Sequence, residues 1–302
     1  MKQLAKQTKE KEKTKTQKEK KVISKEEKDY ARELEQIKRV EARNIRENWF
    51  KLDNAALIYP AIGSAQWNSV FRMSVITRQP VDKDKLQQAL DLTLLRYPFY
   101  NVSLREGMFW HYFQVLESKP LIEPEKDYPC RPFIFNERKQ IFRVLYMDNK
   151  ISFESFHSLA DGGGAAHFFN TLLVCYFELC GADIKNYLNF NVRDLPDSEE
   201  NEDAFKRFFD KTKSRPRKEK TAYAVKGNLE PIQVLKTITG LVSVTKLKEI
   251  TKQYDATVNE FLTAIYFQAL IAEKIRSNKQ HNRPVKISVP VNMRKFYSTK
   301  TM

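Results

Sequence analysis

Residues 151–169 read ISFESFHSLADGGGAAHFF: an apolar strand-like run, a histidine, an aspartate four positions later, three glycines, then an apolar helical pattern. The chain has only four histidines in 302 residues, and His157 falls where the strand ends and the glycine turn begins. An imidazole with a pKa near 6.5 is partly neutral at working pH and can accept a proton from a hydroxyl or amine. The glycines permit a sharp turn and a close backbone approach, and the helix N-terminus beyond them presents amide donors and the positive end of a dipole. Taken alone, the same residues also fit a structural histidine followed by a plain turn. They do not fit a phosphate loop, because no Lys-Ser/Thr pair follows the glycines.

Working outward, QIFRVLYMDNKISFESFH (residues 140–157) predicts two strands joined across Asp148-Asn149, residues that tolerate the positive φ of a tight turn. The helix from Gly164 to about Leu179 is apolar nearly all round, the mark of an element buried between layers. Upstream, SVFRMSVIT alternates as a strand does. DKDKLQQALDLTLLRY places Leu86, Ala89, Leu90, Thr93 and Leu94 on one helical face and stops at Pro98. NVSLREGMFWHYFQV reads as an aromatic hairpin turning at Glu106-Gly107. Downstream come a charged, proline-containing stretch, a strand-like QVLKTITGLVS, a helix VTKLKEITKQY, a second helix opened by a Thr257/Glu260 capping box, and a last strand VKISVPVN.

The net charge of +15 invites a nucleic-acid or anionic-membrane partner. Residues 1–21 hold nine lysines against three glutamates and almost nothing apolar, so residues 1–23 read as a disordered tail. Lysines without interleaved aromatics offer no stacking platform, so no specific nucleic-acid partner is expected. Residues 24–48 read as an exposed charged helix. No apolar h-region opens the chain and no run approaches about 18 apolar residues, so the expected location is cytoplasmic. Cys130, Cys175 and Cys180 lack metal-ligand spacing, and the latter two read as thiols on a buried helix. His111, His167 and His281 are too scattered for a metal cluster, so no metal is expected. No serine sits in a G-x-S-x-G setting, which argues against a nucleophile-elbow hydrolase.

FHSLADGG resembles the H-x-x-x-D-G motif of the coenzyme A-dependent acyltransferase superfamily, which includes chloramphenicol acetyltransferase and peptide-synthetase condensation domains. LQQALDLTLLRYPFYNVSLREGMFWHYFQ, IFRVLY, ATVNEFLTAIYFQAL and VPVNMR follow in the order of its bacterial alcohol-acetyltransferase-like members, so the resemblance spans residues 49–294. It implies an α/β fold of two similar lobes, each a mixed sheet covered by helices, with a tunnel between them. It also implies His157 as the base taking an acceptor hydroxyl's proton during attack on an acyl-CoA thioester. Asp161 would position the loop through an ion pair with Arg294, while Gly162 and Gly163 keep the donor path clear. For Asp161 a helix cap is an equally good reading of the residues.

Phe156 replaces the first of the paired histidines of condensation domains, which favours a small acyl-CoA donor such as acetyl-CoA over a carrier protein. The expected partners are therefore acyl-CoA as co-substrate and a small-molecule alcohol, with no permanently bound cofactor. The family's second motif, D-F-G-W-G, is not found, so the second lobe is expected to be incomplete and the chain truncated. The expected organisation is a first lobe over 49–193, a linker over 194–230 and a partial second lobe over 231–302. A second reading, from a different class, is an inactive relative whose basic body and tail hold it to an anionic membrane surface or nucleic acid.

Overall fold

The structure is a computed structural model, and it describes residues 49–63, 68–135, 137–184, 195–210, 219–228, 230–231, 234–277 and 282–302. The lysine-rich stretch 1–23, the expected helix 24–48 and His281 lie outside the described residues. The chain divides into two compact units, Met1–Arg207 with Thr299–Met302, and Phe208–Ser298.

The first unit is α/β with two sheets. β1 (Trp49–Lys51), β4 (His111–Val115) and β3 (Val102–Glu106) form an antiparallel sheet in that order, and β2 (Val70–Ile76), β7 (Lys150–Phe156), β6 (Phe142–Met147) and β5 (Glu123–Pro124) form a mixed one. Its helices are α1 (Ile58–Ile62), α2 (Lys83–Arg96) and α3 (Gly162–Leu179), followed by the short α4 (Ala204–Phe208) that leads out of the unit. α2 forms where the apolar spacing predicts it: Asp82 caps it by accepting from the Asp84 and Lys85 amides, and Leu86, Ala89, Leu90, Thr93 and Leu94 are all buried. It packs on α3, which lies on the aromatic side of the mixed sheet. There Phe168 stacks on Tyr100 with ring centroids 4.1 Å apart and touches Phe142 and Phe153, and Phe153 also stacks on Phe169. Burying rings of this size contributes about 1.5–3 kcal/mol each.

The pleat sends alternate residues to the opposite face, and that face is charged. Glu154 on β7, fully buried, lies directly opposite Arg72 of β2 on one side and Arg143 of β6 on the other. Arg72 closes to 2.6 Å and the Arg143 Nε to 3.4 Å. Arg72 also reaches Glu125, which Lys150 joins. Burial raises the Glu125 carboxyl, but the hydrogen bonds and charges of Arg72 and Lys150 outweigh that and leave it below its ordinary value.

Residues Thr299–Met302 lie against the segment ahead of α4. Lys300 bonds Asp197 at 2.6 Å, the Thr299 hydroxyl donates to Glu202, and the Met302 amide donates to the Glu200 carbonyl. The Glu200 carboxylate in turn accepts a two-pronged pair of bonds from Arg96 at the end of α2, 2.7 and 2.5 Å long.

The second unit holds α5 (Val244–Gln253) and α6 (Val258–Ser277). The capping box forms as expected: the Thr257 amide donates to Glu260, and the Glu260 amide donates to the Thr257 hydroxyl. The predicted strands are absent among its described residues. Residues 234–243 and 285–292 form no ladder, because alternation makes a segment fit for pairing but a strand exists only where a partner supplies its hydrogen bonds. Three local expectations also shift. The hairpin turns over residues 107–110, with Glu106 still paired to His111. α3 starts at Gly162, two residues early, because Asp161 caps it there. Cys180 is the C-terminal cap of α3 and is exposed rather than buried, whereas Cys175 is buried, and none of the three cysteines is in a disulfide.

Candidate functional site

β7 delivers His157 one residue past its last paired position, and the His157 amide extends the ladder by one rung, donating to the Ser69 carbonyl at 2.8 Å. The ring is therefore fixed by the sheet rather than by a loose loop. The chain turns at once, with the Leu159 amide donating to the Phe156 carbonyl and the Ser158 hydroxyl to the Ala56 carbonyl. That second bond ties the turn to the segment that opens α1. Tyr59 of α1 then lies parallel to the imidazole, centroids 4.1 Å apart and planes 14° from parallel, and Phe71 of β2 meets it at 5.0 Å and 59°. The imidazole is half-buried, and its Nδ1 is buried with no hydrogen-bond partner among the described residues.

Asp161 caps α3: its Oδ1 accepts from the Gly164 amide at 2.8 Å. The carboxylate is exposed but acts on its surroundings. Burial pushes the Tyr59 hydroxyl up, and the charges of Asp161 and Asp53 push it further. Gly162 and Gly163 are exposed at the first turn of α3, and a Cβ at Gly162 would meet nothing within 4 Å. The buried glycine is Gly164, where a Cβ would lie 2.6 Å from the Met302 Cα. Glycine is thus required at that position for close approach. Arg294 is half-buried in a short 3-10 turn, Met293–Lys295, of the second unit, where the Asn292 side chain caps the Arg294 amide.

Of the residues read from the sequence, His157, Asp161 and the glycines are brought together in one turn, whereas His111 opens β4 and His167 is exposed on α3. Sequence reasoning missed Tyr59 and Asp53. Neither carries a local signal, because Tyr59 meets His157 only through the tertiary fold. Among the described residues no group of histidine, cysteine and carboxylate side chains is placed to hold a metal. No described helix is long and apolar enough to cross a membrane.

No known family model matches the sequence, and no curated protein matches it. Solved structures do match in part. Polyketide synthase associated protein 5 from Mycobacterium tuberculosis is 17% identical with a TM-score of 0.35, the match covering 44% of this chain and 34% of that one. The starter condensation domain of rhizomide synthetase RzmA is 12% identical with a TM-score of 0.36, covering 44% and 38%. The X-domain from teicoplanin biosynthesis is 16% identical with a TM-score of 0.36, covering 42% and 32%. A variant of the RzmA domain, 11% identical with a TM-score of 0.36 and covering 46% and 38%, is in complex with C8-CoA. This chain thus spans between about a third and two fifths of the length of these structures.

Proposed function

We propose that the chain serves acyl transfer from a coenzyme A thioester to a small alcohol, with His157 as general base. The observation that carries this reading is the setting of His157: a histidine on the last rung of a sheet, in contact with two aromatic rings, with Nδ1 buried. A buried nitrogen with no partner among the described residues is poorly placed to exchange a proton with a substrate, which leaves Nε2 for the chemistry. The acceptor hydroxyl gives its proton to Nε2 as its oxygen attacks the thioester carbonyl. The tetrahedral intermediate then collapses, the carbon–sulfur bond breaks, and the proton passes from Nε2 to the departing thiolate. The balance closes without a metal or a covalent enzyme intermediate. Asp161 fixes the start of α3 just after the base, and Arg294 is its proposed partner. The ordered stretches that resemble those of acyltransferases support the same assignment.

The test is to incubate the protein with acetyl-CoA and a panel of small alcohols while following release of free thiol. His157→Ala should lower the rate by about 10²–10⁴-fold, the usual worth of a positioned base, with an unchanged melting curve. Thiol release from the variant at the parent's rate overturns the assignment.

A further inference from the structure

The β3–β4 hairpin ends in a feature that acyl transfer does not use. Gly107 closes the turn, its amide donating to the Trp110 carbonyl at 2.8 Å, and a Cβ there would press on that oxygen at 3.0 Å. Between these two residues Met108 and Phe109 are 88% and 81% exposed, and Trp110 is 56% exposed. Three consecutive large apolar side chains at a convex tip are rarely left to water, and such exposure marks an interaction site.

The shape and charge of the surroundings select the partner. A protein partner must supply a pocket for a projecting tip, whereas a bilayer surface admits one anywhere. Tryptophan is also the side chain that settles at the level of lipid headgroups. Below the tip stand Arg105 and Lys51, both directly opposite Tyr112 on β4, with Glu106 as the one acidic neighbour on these strands. The Tyr112 ring meets the half-exposed Trp49 edge-on. Trp49 opens β1, and in the sequence ahead of it residues 1–21 carry an excess of six positive charges. Apolar insertion and attraction of basic residues to anionic headgroups are the two signals that together give stable but reversible membrane attachment.

We propose that the Met108-Phe109-Trp110 tip inserts into the interface of an anionic lipid bilayer, with Lys51 and Arg105 of the same sheet favouring anionic headgroups. The full chain is tested by co-sedimentation with vesicles of phosphatidylcholine alone and of phosphatidylcholine mixed equally with phosphatidylglycerol. It should pellet with the mixed vesicles, release as salt is raised, and show tryptophan quenching by brominated lipid. The triple variant Met108→Ser, Phe109→Ser, Trp110→Ser should bind the mixed vesicles at least about tenfold more weakly, and Trp110→Phe should bind nearly as the parent. Far-UV circular dichroism and melting curves establish that each variant is folded. Equal vesicle binding by the triple variant, or failure of the parent to pellet, overturns the proposal. So does light scattering in which the triple substitution dissolves a dimer while leaving vesicle binding unchanged, since a second copy would then cover the tip.

Discussion

Asp53 illustrates how one side chain near the candidate site can carry a cost in stability. Burial pushes its carboxyl above the ordinary value of 3.8, and the charges of Asp203 and Asp161 add to this, while the Ala56 and Ala55 amides pull the other way and do not compensate. A carboxyl raised in the folded state binds its proton more tightly there, so the group favours folding below pH 3.8 and loses that advantage as pH rises through the folded value. At neutral pH the residue is therefore a liability. Asparagine keeps an oxygen able to accept the Ala56 amide, 2.6 Å from Oδ1 at present. Asp53→Asn should raise Tm near pH 7, and the gain should vanish when the melts are repeated below pH 3.8. An equal gain at every pH would show that charge is not the cause. None of this was visible in the sequence, because Asp203 lies 150 positions away. By contrast the place of His157, at a strand end before a turn, was legible from its strand-like run and the glycines that follow.

The N-terminal end of α3 is where local signals and tertiary structure divide the work. Asp161 was readable both as a cap and as one half of an ion pair, and the geometry confirms the cap. The carboxylate is exposed, and exposed pairs are worth about 0–1 kcal/mol whereas breaking a buried one costs about 3–5 kcal/mol. Asp161→Ala should therefore cost about 0.5–2 kcal/mol by denaturant melts, as loss of a cap does, and Asp161→Asn much less because asparagine caps as well. In a double-mutant cycle with Arg294→Met the coupling should stay within about 1 kcal/mol. A loss of about 3–5 kcal/mol in Asp161→Asn would instead reveal a desolvated pair. The early start of the helix was not readable, since three glycines carry low helix propensity. The Asp161 cap and the burial of the helix's apolar residues outweigh that preference.

At the scale of the whole molecule the two units differ in how much they bury. In the first, α2, α3 and the mixed sheet enclose a continuous aromatic and aliphatic core. Among the described residues of the second, only Thr251 is buried, while Leu262, Ile265, Tyr266, Ile271 and Ile275 of α6 and Ile238, Leu241 and Val242 ahead of α5 are exposed. Apolar periodicity predicted the helices of the second unit correctly because a helix closes its own hydrogen bonds. It overpredicted the strands because a strand does not. Local opening follows contact density, so limited proteolysis should cut within residues 208–298 first and leave a resistant fragment containing residues 49–207, identified by mass spectrometry. First cuts inside α2 or α3 would contradict this ordering.

The flanking of Glu154 by Arg72 and Arg143 has a consequence for position as well as for stability. Both arginines sit at the same rung as the glutamate, one on each neighbouring strand, so the three charges meet only if all three strands are aligned in a single register. Sliding β7 by one residue turns its faces over, carrying an unpaired carboxylate toward Phe168 and the aromatic core, and it displaces His157 by about 3.3 Å. The triad works as a ruler, with its zero mark three residues before the base. The sheet thereby measures out where the imidazole stands against Tyr59 and Phe71, and an apolar replacement of the three charges could keep the sheet folded while erasing the graduation that places the ring.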